Sequence, residues 1–169
     1  MRRLGILVIF LLFALTAQAQ RRAAPPASSP HFQKGVLALQ KGQLDAAIAE
    51  LQLAVKDAPK NALAHLALGM SFGRKGYFQT AILSFRNALA LQPALYEAQV
   101  GLGQALQESQ DLDGAIAAYQ QCAKLRPRDA QPRLLAGAAL QQKGDADGAI
   151  AEYRAAIKQI GRASCRERV

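Results

Sequence analysis

Residues 62–95 read ALAHLALGMSFGRKGYFQTAILSFRNALALQPAL, and a shift of 34 positions in either direction lays this stretch over residues of the same kind. Gly35, Gly69, Gly103 and Gly137 fall in one column, and Pro59, Pro93 and Pro127 in another. Ala47, Ala81, Ala115 and Ala149 form a third, each followed directly by Ile48, Ile82, Ile116 or Ile150. Leu51, Phe85, Tyr119 and Tyr153 make a bulky column, and Ala54, Ala88, Cys122 and Ala156 a small one. Four copies at one period mark an array of repeats. In such an array no unit can bury its apolar side alone, and each leans on the next.

Within a unit the spacing is helical. Leu63, Leu66, Ala67 and Met70, with the pair Leu68 and Phe72, recur at steps of three and four. The column glycine lies inside this first helix, where it costs about 1 kcal/mol relative to alanine, so close approach of a partner helix must favour it. The small alanine columns of the second helix are expected to face it. Gly42, Gly76 and Gly144 stand between the two helices and suit a left-handed turn; the third unit has Gln110 there, which predicts a less sharp turn. Asp45, Asp113 and Asp147 follow, where an acid suits the exposed N–H groups of a helix start. Each unit stops just before a proline. Composition agrees: of 169 residues 51% are hydrophobic, much of that alanine, and 6% are aromatic, which favours an all-α fold over sheets.

The two ends differ from the array. Residues 1–19 carry Arg2 and Arg3, an apolar run from Leu4 to Leu15, and Ala17-Gln18-Ala19, the parts of a secretory signal peptide with cleavage expected after Ala19. The run falls short of the about 20 apolar residues a transmembrane helix needs, so a secreted or periplasmic protein is expected, with no stable membrane span after signal removal. Residues 20–30, with three prolines, read as a flexible leader. Residues 160–169, IGRASCRERV, break the pattern and resemble the translation of a sequencing adapter. They are set aside as an appended tail, which implies a gene continuing beyond about Gln159.

Residues 20–159 carry a formal charge of +5 against +9 for the whole chain, because residues 1–19 and 160–169 hold Arg2, Arg3, Arg162, Arg166 and Arg168 against Glu167. The tightest basic group is Lys124, Arg126, Arg128 and Arg133 at one turn. It lacks the stripe and stacking aromatics of a nucleic-acid surface, and no nucleic-acid partner is expected.

Small residue, bulky residue, glycine turn, alanine, aromatic, alanine and proline, in that order at a period of 34, resemble the tetratricopeptide repeat family over residues 28 to 159. The units are 28–61, 62–95, 96–129 and a shorter 130–159. The family's early Trp is missing, with His31, His65, Gln99 and Arg133 in its place. Lys34 stands where Leu68, Leu102 and Ala136 follow, so the first helix is expected to pack loosely. The resemblance implies an α-solenoid of four helix-turn-helix repeats in a right-handed superhelix, with the first helices lining a concave face. Carried over by column, that face would hold Phe32, Val36 and Leu39; Leu63, Leu66, Met70 and Arg74; Val100, Gln104 and Gln107; and Leu134, Ala138 and Gln141. One end of such a groove is apolar and the other rich in amides, which suits a peptide or protein partner. The Lys, Arg and Asn clamp by which some members hold a C-terminal carboxylate is absent, since its columns contain Phe32, Leu66, Val100 and Leu134, and Val36, Met70, Gln104 and Ala138.

No nucleophile with a base, metal spacing or phosphate loop stands out, and neither catalysis nor a cofactor is expected. Asp45 with Glu50, and Asp147 with Glu152, occupy repeat-equivalent helix starts. His31 and His65 lie one period apart, which places them on matching surfaces of neighbouring units rather than as paired metal ligands. Cys122 sits in a small-residue column and is expected to be buried. Two functions fit: an exported, non-catalytic adaptor gripping a peptide or protein, or the recognition arm of a longer exported enzyme.

Overall fold

The computed structural model describes residues 29–166; the expected signal peptide, most of the expected leader and residues 167–169 lie outside them. Among the described residues eight α-helices follow one another: α1 Pro30–Gln40, α2 Leu44–Asp57, α3 Ala62–Arg74, α4 Phe78–Leu91, α5 Tyr96–Glu108, α6 Leu112–Leu125, α7 Gln131–Lys143 and α8 Ala146–Arg166. They pack as pairs, α1 on α2, α3 on α4, α5 on α6 and α7 on α8, and each pair packs on the next through α2 with α3, α4 with α5, and α6 with α7. The fold is therefore all-α, with sequential helix pairs in a solenoid. α2, α4 and α6 each end two residues before Pro59, Pro93 or Pro127.

The column glycines do not face the alanines. A Cβ on Gly35 would stand 2.6 Å from Leu51, on Gly69 2.8 Å from the Phe85 ring, on Gly103 2.5 Å from Tyr119 and on Gly137 2.6 Å from Tyr153. The missing methyl opens a recess on the first helix, and the bulky side chain of the second helix lies in it. Ala47, Ala81, Ala115 and Ala149 are buried beside this contact. The same Phe85 ring also reaches the next unit, where a Cβ on Gly101 would stand 2.5 Å from it.

The turns obey one backbone rule. Gly42, Gly76 and Gly144 have φ of 74°, 85° and 90°, and Gln110 joins them at 66°. The third turn is thus as sharp as the others, against the expectation from its missing glycine, and Gln110 bears a Cβ in a conformation that costs an L-residue about 1–2 kcal/mol. The acids divide their work differently from the expectation. Asp111 and Asp145, just outside α6 and α8, accept the Gly114 and Gly148 N–H groups at 3.0 and 2.9 Å. Asp113 and Asp147 lie one step inside, in the first turn. Ser29 and Asn61 do the same for α1 and α3, accepting from Phe32 N at 3.1 Å and from Leu63 N at 3.1 Å.

Two expectations about the ends need correction. α8 does not stop near Gln159 but continues to Arg166, because residues 160–166 contain no proline and one glycine costs a helix only about 1 kcal/mol. α1 is not loose on its partner side, where Gly35, Ala38 and Leu39 are buried; only its other flank, with Lys34 and Leu37, is exposed.

Two glycine exchanges should act in opposite directions in urea unfolding. Gly103→Ala improves helix propensity but drives a methyl into a buried ring, and should lower stability by about 1–3 kcal/mol. Gln110→Gly relieves the left-handed turn and should raise it by about 1 kcal/mol.

Candidate binding face and inter-repeat contacts

The columns expected to face a partner run along α1, α3, α5 and α7. Phe32, Leu66, Val100 and Leu134 are all half-buried. One turn further, Val36 is half-buried and Met70, Gln104 and Ala138 are exposed. On α3 the apolar surface is open: Leu63 is 39% and Met70 44% exposed, beside Leu66. Phe32, Val36 and Leu66 also pack against the core, so they shape the face from beneath.

The remaining columns are used internally. Leu39 is buried in the core and cannot meet a partner; being flanked by α2 and α3, it fills the junction of the first two units. Arg74, rather than reaching into a groove, donates from Nη1 to the Leu39 carbonyl at 2.9 Å. Gln107 Oε1 accepts the Tyr119 hydroxyl at 3.0 Å, and Gln141 Oε1 accepts that of Tyr153 at 3.2 Å. Gln107 also donates from Nε2 to Gln142 Oε1 at 2.9 Å. Units one and two, with Leu51 and Phe85 in the bulky column, have Leu39 and Gly73 where these amides stand. The amides therefore accompany the hydroxyls, and of the three expected at the polar end only Gln104 is left as a plain surface group.

The basic turn is also spoken for. The Arg126 guanidinium lies over the Tyr96 ring, 3.6 Å from its centre, and Nη2 meets Glu97 at 2.7 Å. Tyr96 donates its hydroxyl to Asp129 Oδ2 at 2.7 Å. Burial first, then this bond to a carboxylate, raises the Tyr96 pKa. Arg126 in turn holds the Glu97 carboxyl below its usual range, after the backbone N–H that contributes most. Arg133 pairs with Glu152 at 3.1 Å across a small cavity of about 200 Å³ between α6, α7 and α8. This Tyr96 cluster was invisible to the period, because Tyr96, Glu97, Arg126 and Asp129 each differ from their repeat equivalents.

His31 pairs through Nδ1 with Glu50 at 2.7 Å, and His65 Nε2 donates to the Pro59 carbonyl at 3.0 Å. Each is tied within its own unit or the turn before it. Among the described residues no group of three or more His, Cys, Asp or Glu could hold a metal ion. No described helix is long and apolar enough to cross a membrane. Cys122 is buried, and burial pushes its thiol up to about 11.

With this geometry in view, the comparisons with known proteins define the class. A tetratricopeptide repeat profile matches residues 66–130 and 100–164, and a second TPR repeat profile matches residues 37–76. The chain belongs to the tetratricopeptide repeat family, whose members are scaffolds for protein–protein interaction and typically non-catalytic. Among solved structures it is similar to MamA. One MamA crystal structure superposes with a TM-score of 0.76 at 24% identity, over 79% of this chain and 78% of that one. A MamA chain beginning at residue 41, from Desulfovibrio magneticus RS-1, gives 0.74 at 20% identity over 79% and 75%. At such identity the likeness is one of fold. No curated protein matches the sequence.

Two buried groups predict a response to alkali. Tyr119 is pushed up to about 12 and Cys122 to about 11, each mainly by burial. Both ionise first in the unfolded chain, so the stability they contribute is complete below about pH 9 and is lost on the way to pH 12. Urea midpoints should hold to pH 9 and then fall, less steeply in Tyr119→Phe. In a Cys165→Ser background, Cys122 should react with a thiol reagent at pH 8 only once the chain is unfolded.

Proposed function

We propose that the face formed by α1, α3, α5 and α7 binds an amphipathic or extended peptide segment of a protein partner. The observation that carries this reading is the open apolar surface of α3, where Leu63 and Met70 stand clear of the core at 39% and 44% exposure. A solenoid holds such a surface rigidly, so a partner loses less entropy on docking than it would against a mobile loop. Phe32, Val36, Leu66, Val100 and Leu134 extend the apolar strip beneath it, and Gln104 offers an amide to a bound backbone. The polar end is narrower than the sequence suggested, because Gln107 and Gln141 already bind tyrosines. Residues 1–19 support an exported site of action, and the amino terminus of the mature protein should then be Gln20.

Met70 and Leu63 are the positions at which to test the face, since Leu66 also supports the core. On an array of helical and extended peptides, Met70→Glu and Leu63→Glu should each weaken the best binders about tenfold, the worth of one apolar anchor. Their helical circular dichroism should remain that of the parent chain. Unchanged affinity in both variants would show that the partner binds elsewhere.

A further inference from the structure

The two long edges of the solenoid carry different charge. One is the row of turns that join the helices within a unit, and its acids are Asp45, Asp111, Asp113, Asp145 and Asp147. Lys75 and Lys143 already meet two of them, Asp45 and Asp113. The other edge is the row of turns that join one unit to the next, and it is basic. Lys56 and Lys60 stand at its first turn, Arg86 in the second half of α4, and Lys124 and Arg128 at its third turn. All are exposed, and among the described residues none has an ion pair. Of the acids on this edge, Glu97 holds Arg126 and Asp129 takes the Tyr96 hydroxyl, which leaves Asp57. A lysine in the last turn of a helix suits the helix dipole, which accounts for Lys56 and Lys124 but not for Lys60, Arg86 and Arg128.

The basic edge also has a recess. Lys124 and Arg133 line the cavity of about 200 Å³ between α6, α7 and α8, together with Gln120, Glu152, Ala123 and Ala136. Arg133 donates from Nη1 to Glu152 at 3.1 Å, but its Nε is buried and has no hydrogen-bond partner. An unbonded guanidinium N–H is costly there, and a carboxylate is the group that matches it, since it takes two N–H groups of one guanidinium at once. Glu152, the acid of the lining, is held by Arg133, and Lys124 is left to offset the charge of an incoming carboxylate.

We propose that this edge is a second docking surface, separate from the face of α1, α3, α5 and α7, and that its partner is an acidic protein segment. One carboxylate side chain of the segment enters the cavity and accepts from Arg133 Nε, with Lys124 lining the same cavity. Its other acids lie along Arg128, Arg86, Lys60 and Lys56. The row of charges alone would suit any anionic surface, and the buried N–H is what selects a side chain that can enter a recess. Association at such an edge is steered by charge and strongest at low salt.

Fluorescence anisotropy with the purified full chain tests this, using a short labelled peptide of alternating Glu and Ala and its Gln-for-Glu analogue. Flotation with vesicles of phosphatidylcholine and phosphatidylglycerol runs in parallel. The Glu peptide should bind, more weakly as salt rises from about 50 to about 300 mM, and the Gln analogue should not. Lys124→Gln and Arg133→Lys should each weaken binding about tenfold. The first changes an exposed residue, and the second keeps the charge beside Glu152 but removes the guanidinium fork. Met70→Ala should leave the affinity unchanged, so this edge and the α3 face can fail separately. Equal binding of the Glu and Gln peptides would overturn the proposal, as would parent-like affinity in both Lys124→Gln and Arg133→Lys. So would a Glu peptide that does not bind; flotation of the chain with the vesicles would then mark the edge as a lipid surface.

Discussion

Everything in this array depends on a bulky side chain seated where a helix lacks a methyl group. The four pairs, Gly35 with Leu51, Gly69 with Phe85, Gly103 with Tyr119 and Gly137 with Tyr153, bring each first helix close to its second. Glycine in a helix interior costs about 1 kcal/mol, and burying a large apolar group repays it at about 25 cal/mol per Å². Fixing the ring also fixes the pair's crossing, and the alanines on either side then have room only for contact. Because Phe85 reaches Gly101 of the following unit as well, the same side chain joins pair to pair.

Polar contacts add specificity to this apolar frame. Exposed ion pairs such as Lys75 with Asp45 are screened by water and hold little of the fold, so they set register more than they stabilise it. The half-buried contacts matter more, because an unpaired hydroxyl or guanidinium would be costly there. Where the bulky column changes from Leu51 and Phe85 to Tyr119 and Tyr153, the facing residue changes to Gln107 and Gln141 to receive the hydroxyl. The proposed binding face is what remains after such internal needs are met, and that remainder is centred on α3.

Much of the fold was legible in the sequence because one period repeats four times. Proline stops, left-handed glycine turns and helix pairing all follow from residues whose backbone demands are strict. The features that were not legible depend on what a side chain touches. Periodicity showed that Gly103 needs a close neighbour but not that the neighbour is the Tyr119 ring. It could not reveal that Gln110 would adopt a glycine's conformation, since the turn is imposed by the helices on both sides. Leu39 looked available for a partner because helical spacing cannot distinguish a groove from a junction between units. A usable signal did exist for Gln107 and Gln141: they occur only in the units that carry a tyrosine in the bulky column. The Tyr96 cluster gave no such signal, being confined to one unit.

The glycine recess is tested most directly by a double-mutant cycle on Gly69 and Phe85, with stability of the whole chain measured in urea. Gly69→Ala should destabilise the parent, in which the new methyl meets the ring. In a Phe85→Ala background the recess is empty, and the same exchange should become stabilising by about 1 kcal/mol, the ordinary preference of a helix for alanine. An equal loss of stability in both backgrounds would contradict the recess as the contact on which the array is built.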